Sequence, residues 1–518
     1  MKATAAWTAV LAFVLLFSAG LYFHRLAEVP VYVSTDEAKL AVQAHSLATT
    51  GRDLRGNRLP VFLLIVDPLL PEQQSVAWWQ PVLFYATAGV FRLVDVSPAS
   101  TRTPVVVLAL LNIVLIYVVA AQWLQSRPLA IFAAAALALT PAHFILGREA
   151  ADYFCPTTVA LLWLAVLWRF LERRDRRWAV VTGMVLGLGL YTYITSWMVM
   201  PMYLALTMVA AWHRRAPLSV CATAIAAFAC CAVPAVIWAA LHPSMITETL
   251  THYKVSSGSR AVERITLYWD YFNPSYLFFS GGSNLLWSTR TAGVFLLPFV
   301  LLLPAGVWAL AGVRRTTYNA IVLLGFFLVP LPIVLALPEA PFYATARAIL
   351  AAPFGVLIAT AGLAMLIRNP MPAIRAVAVV AIVLVPWQFF SFARDYFSDY
   401  PQRSAPWIDA MNFQGVARYV IDQSSGAPRI YLSQDDIGED KSVKWKFHLI
   451  AAKRPDIWMK TAYLAPEQQA SPGIDAGSLL IMSPSNARLG SLSGNGWTVA
   501  TIIQDAAGTP SAAILKRR

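Results

Sequence analysis

The chain has 518 residues, of which 58% are hydrophobic and 13% charged, roughly half the charged share of an ordinary soluble domain. With a mean hydropathy of +0.59, this excludes a disordered chain, a fibrous repeat and a cytosolic enzyme, and fits a polytopic membrane protein with some extramembrane mass. The formal net charge of +13 does not point to a nucleic-acid partner, because the basic residues form short clusters between apolar runs rather than one stripe with interleaved aromatics.

Crossing a hydrocarbon core of about 30 Å takes roughly 20 apolar residues. Eleven runs approach that length: 6–24, 104–124, 128–146, 156–171, 178–194, 197–212, 217–241, 292–313, 318–337, 348–367 and 374–393. The stretch 178–212 is one apolar run interrupted at Tyr191–Trp197 and Pro201, read as a tight hairpin of two short spans, with one long tilted helix as the alternative. Charge supports the hairpin. With the N-terminus inside, the short inner loops hold Lys2, Arg127, Arg173, Arg174, Arg176, Arg177, Arg214, Arg215, Arg314, Arg315, Arg368 and Arg375, and the short outer loops hold only Arg148 and Arg347. Residues 25–103 and 242–291 and the C-terminal region then lie outside. Lys2 and Ser18-Ala19-Gly20 also fit a cleaved signal peptide, but the run continues through Leu21-Tyr22-Phe23, and an uncleaved span is preferred.

The expected fold is therefore a polytopic α-helical membrane protein of about eleven spans over residues 1–393, followed by a small extracytoplasmic α/β domain over 394–518. In that tail no run reaches span length. Strand-like pieces occur at 429–432, 479–482, 498–503 and 512–515, and helix-like pieces at 407–423 and 442–452. Cys155, Cys221, Cys230 and Cys231 lie in or beside apolar segments without C-x-x-C spacing, so neither a disulfide framework nor a zinc cluster is expected.

Ionisable residues are scarce within the spans, where a transporter would place them, and the acidic ones concentrate in outer loops. This favours an enzyme working at the outer interface over a flippase or transporter of a lipid-linked saccharide, or a membrane anchor for the C-terminal domain. The first outer loop opens with Ser34-Thr35-Asp36-Glu37, where Thr35 or Ser34 can cap a helix lying on the membrane surface. A carboxylate at Asp36 can take a proton from an acceptor hydroxyl; the plain alternative is that Asp36 and Glu37 complement the helix N-terminus. Residues 78–92 read as a second surface helix without chemistry. Arg148 and Asp152 are four apart, so on a helix they share a face and can bind a phosphate and a hydroxyl, or simply pair with each other.

The long outer loop holds His242, His252, Lys254, Arg260, Glu263 and Arg264, then an aromatic stretch with Tyr271, Asn273 and Tyr276, and a Gly281-Gly282-Ser283-Asn284 turn. The aromatics can line a lipid-facing groove, and the basic residues can meet a phosphate or lipid headgroups. His242 and His252 lack carboxylate spacing, so no metal is assigned to them. The last outer loop runs from Pro338 through Tyr343 to Arg347, which enters the tenth span and needs an anionic partner unless it snorkels to the interface.

Taken in order, these pieces resemble the polytopic glycosyltransferases of the GT-C superfamily, and more closely bacterial members of the dolichyl-phosphate-mannose protein mannosyltransferase and lipid A aminoarabinose transferase group. Asp36-Glu37 follows the first span, Arg148 and Asp152 follow the third, the 271–284 stretch precedes a span beginning at Gly293, and Arg347 lies in a Pro-bracketed loop. Relatives often show Gly-Asp-x-Asn and an Arg-His pair in the long loop, where this chain has Gly281-Gly282-Ser283-Asn284-Leu-Leu-Trp287. The resemblance implies an inverting transfer of a hexose or pentose from a polyprenyl-phosphate carrier to a glycan, lipid or protein acceptor at the periplasmic face of a bacterial inner membrane. It further implies Asp36 as general base, Glu37 holding the acceptor or the base, Asp152 as a second acidic site residue, and Arg148 and Arg347 on the carrier phosphate. Tyr271, Asn273, Tyr276, Asn284 and Tyr343 are candidate substrate-loop residues. Membrane lipids are the remaining expected partner; no cofactor is assigned, and dependence on a divalent metal stays open.

Overall fold

A computed structural model describes all residues except 1, 71–76, 253–260, 314–315, 337–344, 424–425 and 435–440. Among the described residues, six helices are long and apolar enough to cross a membrane: Ala6–Phe23, Pro98–Leu124, Asp152–Arg173, Leu218–Leu241, Thr317–Leu335 and Pro372–Phe397. Shorter apolar helices stand between them, including Arg127–Ala138, Phe299–Gly312 and Ala351–Ile367. The run 178–212 is two helices, Arg176–Gly189 and Ser196–His213, with turns between them at 190–195, so it is not one long helix. The run 128–146 breaks at Leu139–Thr140, ahead of Pro141, which starts a second short helix. The run 292–313 becomes helical only from Phe299. Before that point the chain lies against the aromatic loop: Val294 and Phe295 donate their amides to the Tyr276 and Leu277 carbonyls at 3.3 and 2.8 Å. A Cβ at Gly293 would come within 2.5 Å of the Leu277 and Phe278 backbone, so only glycine fits that approach.

Helix contacts in the bundle use small residues. Gly183 and Gly187 let Arg176–Gly189 close on Ala224, Ala227 and Cys231 of the Leu218–Leu241 helix. The bundle perimeter is apolar: Phe13, Leu16, Val236, Trp387 and Phe390 are all exposed, as lipid-facing residues are. The chain is a multi-pass membrane protein.

At one end of the bundle lies helix Thr35–Thr50, followed by a two-stranded antiparallel sheet (β1, Leu63–Ile65; β2, Ala77–Trp79) and helix Pro81–Phe91. Residues 78–79, expected at the start of a surface helix, are thus strand. Helix Thr35–Thr50 does not rest on a membrane surface with one face free. Leu40, Ala44 and Leu47 pack into the bundle core, while Ala38, Ala41 and Val42 pack against Val443 and Phe447 of the C-terminal region. Its apolar residues wrap around the helix, and each face finds its own cover.

The C-terminal region is α/β, with a five-stranded sheet in the order β4-β3-β5-β7-β6. The strands are β3 (Ile430–Ser433), β4 (Thr461–Leu464), β5 (Leu479–Met482), β6 (Trp497–Gln504) and β7 (Pro510–Arg517). β3 pairs in parallel with β4 and β5, and β7 runs antiparallel to β5 and β6. Helices Phe413–Gln423 and Lys441–Ala451 cover one face through Val416, Val420, Trp445 and Leu449. β4 was not expected from the sequence; Thr-Ala-Tyr-Leu is short and weakly patterned, and it is recruited by its parallel partner.

Candidate active site

Ser34 caps helix Thr35–Thr50 in a capping box. Its hydroxyl accepts the Glu37 amide at 3.3 Å, and its own amide donates to Glu37 Oε2 at 3.0 Å. The box fixes the first turn and turns two adjacent acids to different tasks. Asp36 stays half-buried. Glu37 is buried and paired with Arg102, Nε–Oε1 at 2.7 Å and Nη2–Oε2 at 3.0 Å. Glu37 also accepts the Ala150 amide at 3.0 Å, tying the helix to the loop that carries the other acids. The remaining Arg102 donors go to the Leu26, Pro30 and Tyr32 carbonyls. Glu37 is therefore spoken for by the fold; expected to hold acceptor or base, it fixes the turn that carries Asp36.

Arg148, expected on a carrier phosphate, is committed elsewhere. Its two terminal nitrogens donate to the carbonyls of Leu21, Tyr22, His24 and Val29. The rings of Phe144, Tyr396 and Phe397 surround its guanidinium at 5.1–5.6 Å. Both terminal nitrogens are thereby committed to backbone carbonyls. Nor do Arg148 and Asp152 share a helical face: residues 147–151 are turn and extended backbone, and Asp152 begins the short 3-10 turn Asp152–Phe154. The expected i,i+4 pair fails because the helix it assumes ends at Leu146.

The non-helical loop instead brings Glu149 and Asp152 to Asp36. Asp36 lies within electrostatic reach of Glu149, Asp152, Tyr153 and Tyr193. Burial holds the Glu149 carboxyl well above the usual carboxylate range, and the neighbouring Glu37 and Asp36 charges push it the same way. It accepts from the Ser34 hydroxyl at 3.3 Å and from the Tyr153 hydroxyl. Tyr153 in turn accepts Trp287 Nε1 at 2.9 Å, and its ring stands edge-on to Tyr193, 6.2 Å between centroids. Tyr193 hydrogen-bonds Arg347 and senses the charges of Asp152 and Asp36. Arg347 sits half-buried in turn residues 345–350, just ahead of helix Ala351–Ile367, beside a small cleft lined by Thr195, Val199, Tyr203 and Ile333. Asp36, Asp152 and Arg347 thus converge around Tyr193. Arg102, Glu149, Tyr153 and Tyr193 had no assigned role. Only Arg102 carried a signal, a lone cation at the head of an apolar run.

The loop residues divide. Tyr271 and Tyr276 are buried, their rings 6.3 Å apart and perpendicular, and Tyr276 hydrogen-bonds Thr345, two residues before Arg347. Asn273 and Asn284 accept the Ser275 and Leu286 amides at 2.9 Å, shaping local turns. Tyr343, Lys254 and Arg260 lie outside the described residues. His242 stacks on Trp238 at 4.3 Å. Among the described residues, no three His, Cys, Asp or Glu side chains are grouped to hold a metal ion.

A bundle of apolar helices whose acidic first loop meets a later arginine, capped by an α/β domain, has the architecture of the GT-C type. The structure is similar to that of ArnT from Cupriavidus metallidurans bound to undecaprenyl phosphate, with a TM-score of 0.64 at 13% identity over 98% of each chain. It is equally similar to ArnT from Cupriavidus metallidurans in the apo state, TM-score 0.65 at 13% identity, covering 99% of this chain and 98% of that one. The family model of dolichyl-phosphate-mannose-protein mannosyltransferases matches residues 77–238, a stretch that contains Arg102, Glu149, Asp152 and Tyr193. No curated protein matches the sequence. The chain has the GT-C fold and resembles the protein mannosyltransferase and ArnT group.

Proposed function

We propose that the protein is an inverting glycosyltransferase that moves a sugar from a polyprenyl-phosphate donor to a hydroxyl of a glycan, lipid or protein acceptor at the outer face of the inner membrane. The observation that carries this reading is that Tyr193, hydrogen-bonded to Arg347, lies within electrostatic reach of Asp36. In the reaction, the acceptor oxygen forms a bond to the anomeric carbon as the bond from that carbon to the phosphate oxygen breaks. Asp36 takes the acceptor proton, and the carrier phosphate leaves with the bonding electrons. Arg347 and the Tyr193 hydroxyl stabilise the charge gathering on that phosphate, which needs no acid because it leaves as an anion. Similarity to a protein crystallised with undecaprenyl phosphate supports a polyprenyl carrier. The bias of basic residues toward one set of short loops supports the periplasmic placement.

The test compares surface glycans and glycoproteins of cells carrying the wild-type chain, the Asp36→Asn chain and no gene. The variant is expected to match the deletion while its membrane level stays normal. Restoration of the wild-type glycans by Asp36→Asn would overturn the assignment.

A further inference from the structure

A second cavity lies far from Asp36. It encloses about 520 Å³, within the range of small-molecule sites. Trp123, Leu124, Trp168 and Leu310 line its depth, and Arg214, Arg368 and Glu172 stand at its rim. Both arginines are exposed, and Arg174 adds a third cation, donating to the Arg214 carbonyl at 3.1 Å. Three helices fix the distance to the catalytic end. Arg102, beside Glu37, and Leu124, in the cavity wall, sit on one helix and are about 33 Å apart at the usual rise. Cys155, just after Asp152, and Leu171 are about 24 Å apart along helix Cys155–Arg173 by the same measure. Arg347 precedes helix Ala351–Ile367, and Arg368 follows it. The cavity therefore opens at the opposite bilayer interface.

We propose that this cavity binds one anionic phospholipid from that leaflet, an acyl chain lying against Trp123, Trp168 and Leu310 and the phosphate between Arg214 and Arg368. The charge balance selects the headgroup: Arg214 and Arg368 line the cavity against Glu172 alone, so a zwitterionic head gains less than an anionic one. The aromatic wall selects a lipid over a free anion, because a phosphate alone leaves the apolar depth unfilled. The site is separate from the transfer site and requires nothing of the reaction proposed above.

The test uses the purified full-length protein in detergent, titrated with dioctanoyl phosphatidylglycerol, dioctanoyl phosphatidylcholine and inorganic phosphate, with bound lipid counted by native mass spectrometry. Phosphatidylglycerol is expected to bind roughly tenfold more tightly than phosphatidylcholine. Inorganic phosphate is expected neither to bind nor to compete. The double variant Arg214→Gln/Arg368→Gln should lose the preference, and Arg347→Ala should keep it. The proposal fails if the two lipids bind alike, if the double variant retains the preference, if phosphate competes, or if Arg347→Ala abolishes binding, which would place the lipid at the transfer site. A wild-type thermal midpoint of the double variant shows that it is folded.

Discussion

Glu37 and Arg102 form a bidentate ion pair with both side chains at most 1% exposed, joining the helix that carries Asp36 to the head of the Pro98–Leu124 helix. Removing one partner leaves a buried charge uncompensated. Arg102→Leu is expected to destabilise the protein by about 3 kcal/mol or more, read as a lower thermal midpoint in detergent. Glu37→Gln should fall in the same direction. A Glu37→Gln protein with wild-type stability and no transfer would assign Glu37 to the chemistry instead.

Asp36→Asn keeps the shape of the first helical turn and removes the proposed base. Turnover is expected to drop by about 10²–10⁴-fold, with undecaprenyl phosphate binding retained. Single-turnover kinetics together with a binding titration separate the two effects.

Arg347→Ala should weaken binding of undecaprenyl phosphate by about 2 kcal/mol, the scale of a lost charge-assisted pair in a partly desolvated site. Arg347→Lys should recover part of it. Unchanged affinity in both variants would leave Arg347 as an anchor for Tyr193 only.

Phe447 is 1% exposed and packs with Val443 over Ala38, Ala41 and Val42. Phe447→Ala is expected to cost about 3 kcal/mol and to lower transfer, because the cavity opens directly behind the Asp36 helix. A thermal melt and an activity assay on the same preparation check both. Full transfer by a chain lacking residues 400–518 would remove the C-terminal region from any part in holding the site.

His448 is pushed down to about 4 by burial, with Lys444 acting in the same direction and Asp409 against it. The unfolded imidazole titrates near 6.5, so between that value and about 4 the unfolded chain binds the extra proton. Stability is therefore full above the unfolded value and is lost as pH falls through the window. The thermal midpoint should decline from pH 7 to pH 5, and His448→Gln should flatten that part of the decline.

Local signals in the sequence read well. The cap was legible to within one residue, Thr35 or Ser34, and Ser34 takes it because Glu37 stands three residues on to complete the box. The interruption at Tyr191–Trp197 marked the turn between two helices. What failed depended on partners far along the chain. Glu37 looked like a second catalytic acid because Arg102, 65 residues away, is invisible as its mate. Arg148 looked like a phosphate ligand because its four acceptors are backbone carbonyls of residues 21–29, which every sequence offers. Glu149 and Tyr193 went unassigned because their roles come from convergence in space. β4 went unseen because its neighbour β3, not its own pattern, makes it a strand.

The cover over the Asp36 helix comes from Val443 and Phe447, so the two halves of that contact leave the ribosome at widely separated times. A nascent chain that has threaded all its apolar helices still holds its acidic turn uncovered until the late α/β unit is translated and docks. Termination between the last apolar helix and that unit would leave an inserted bundle whose Asp36 helix lacks its Val443 and Phe447 cover.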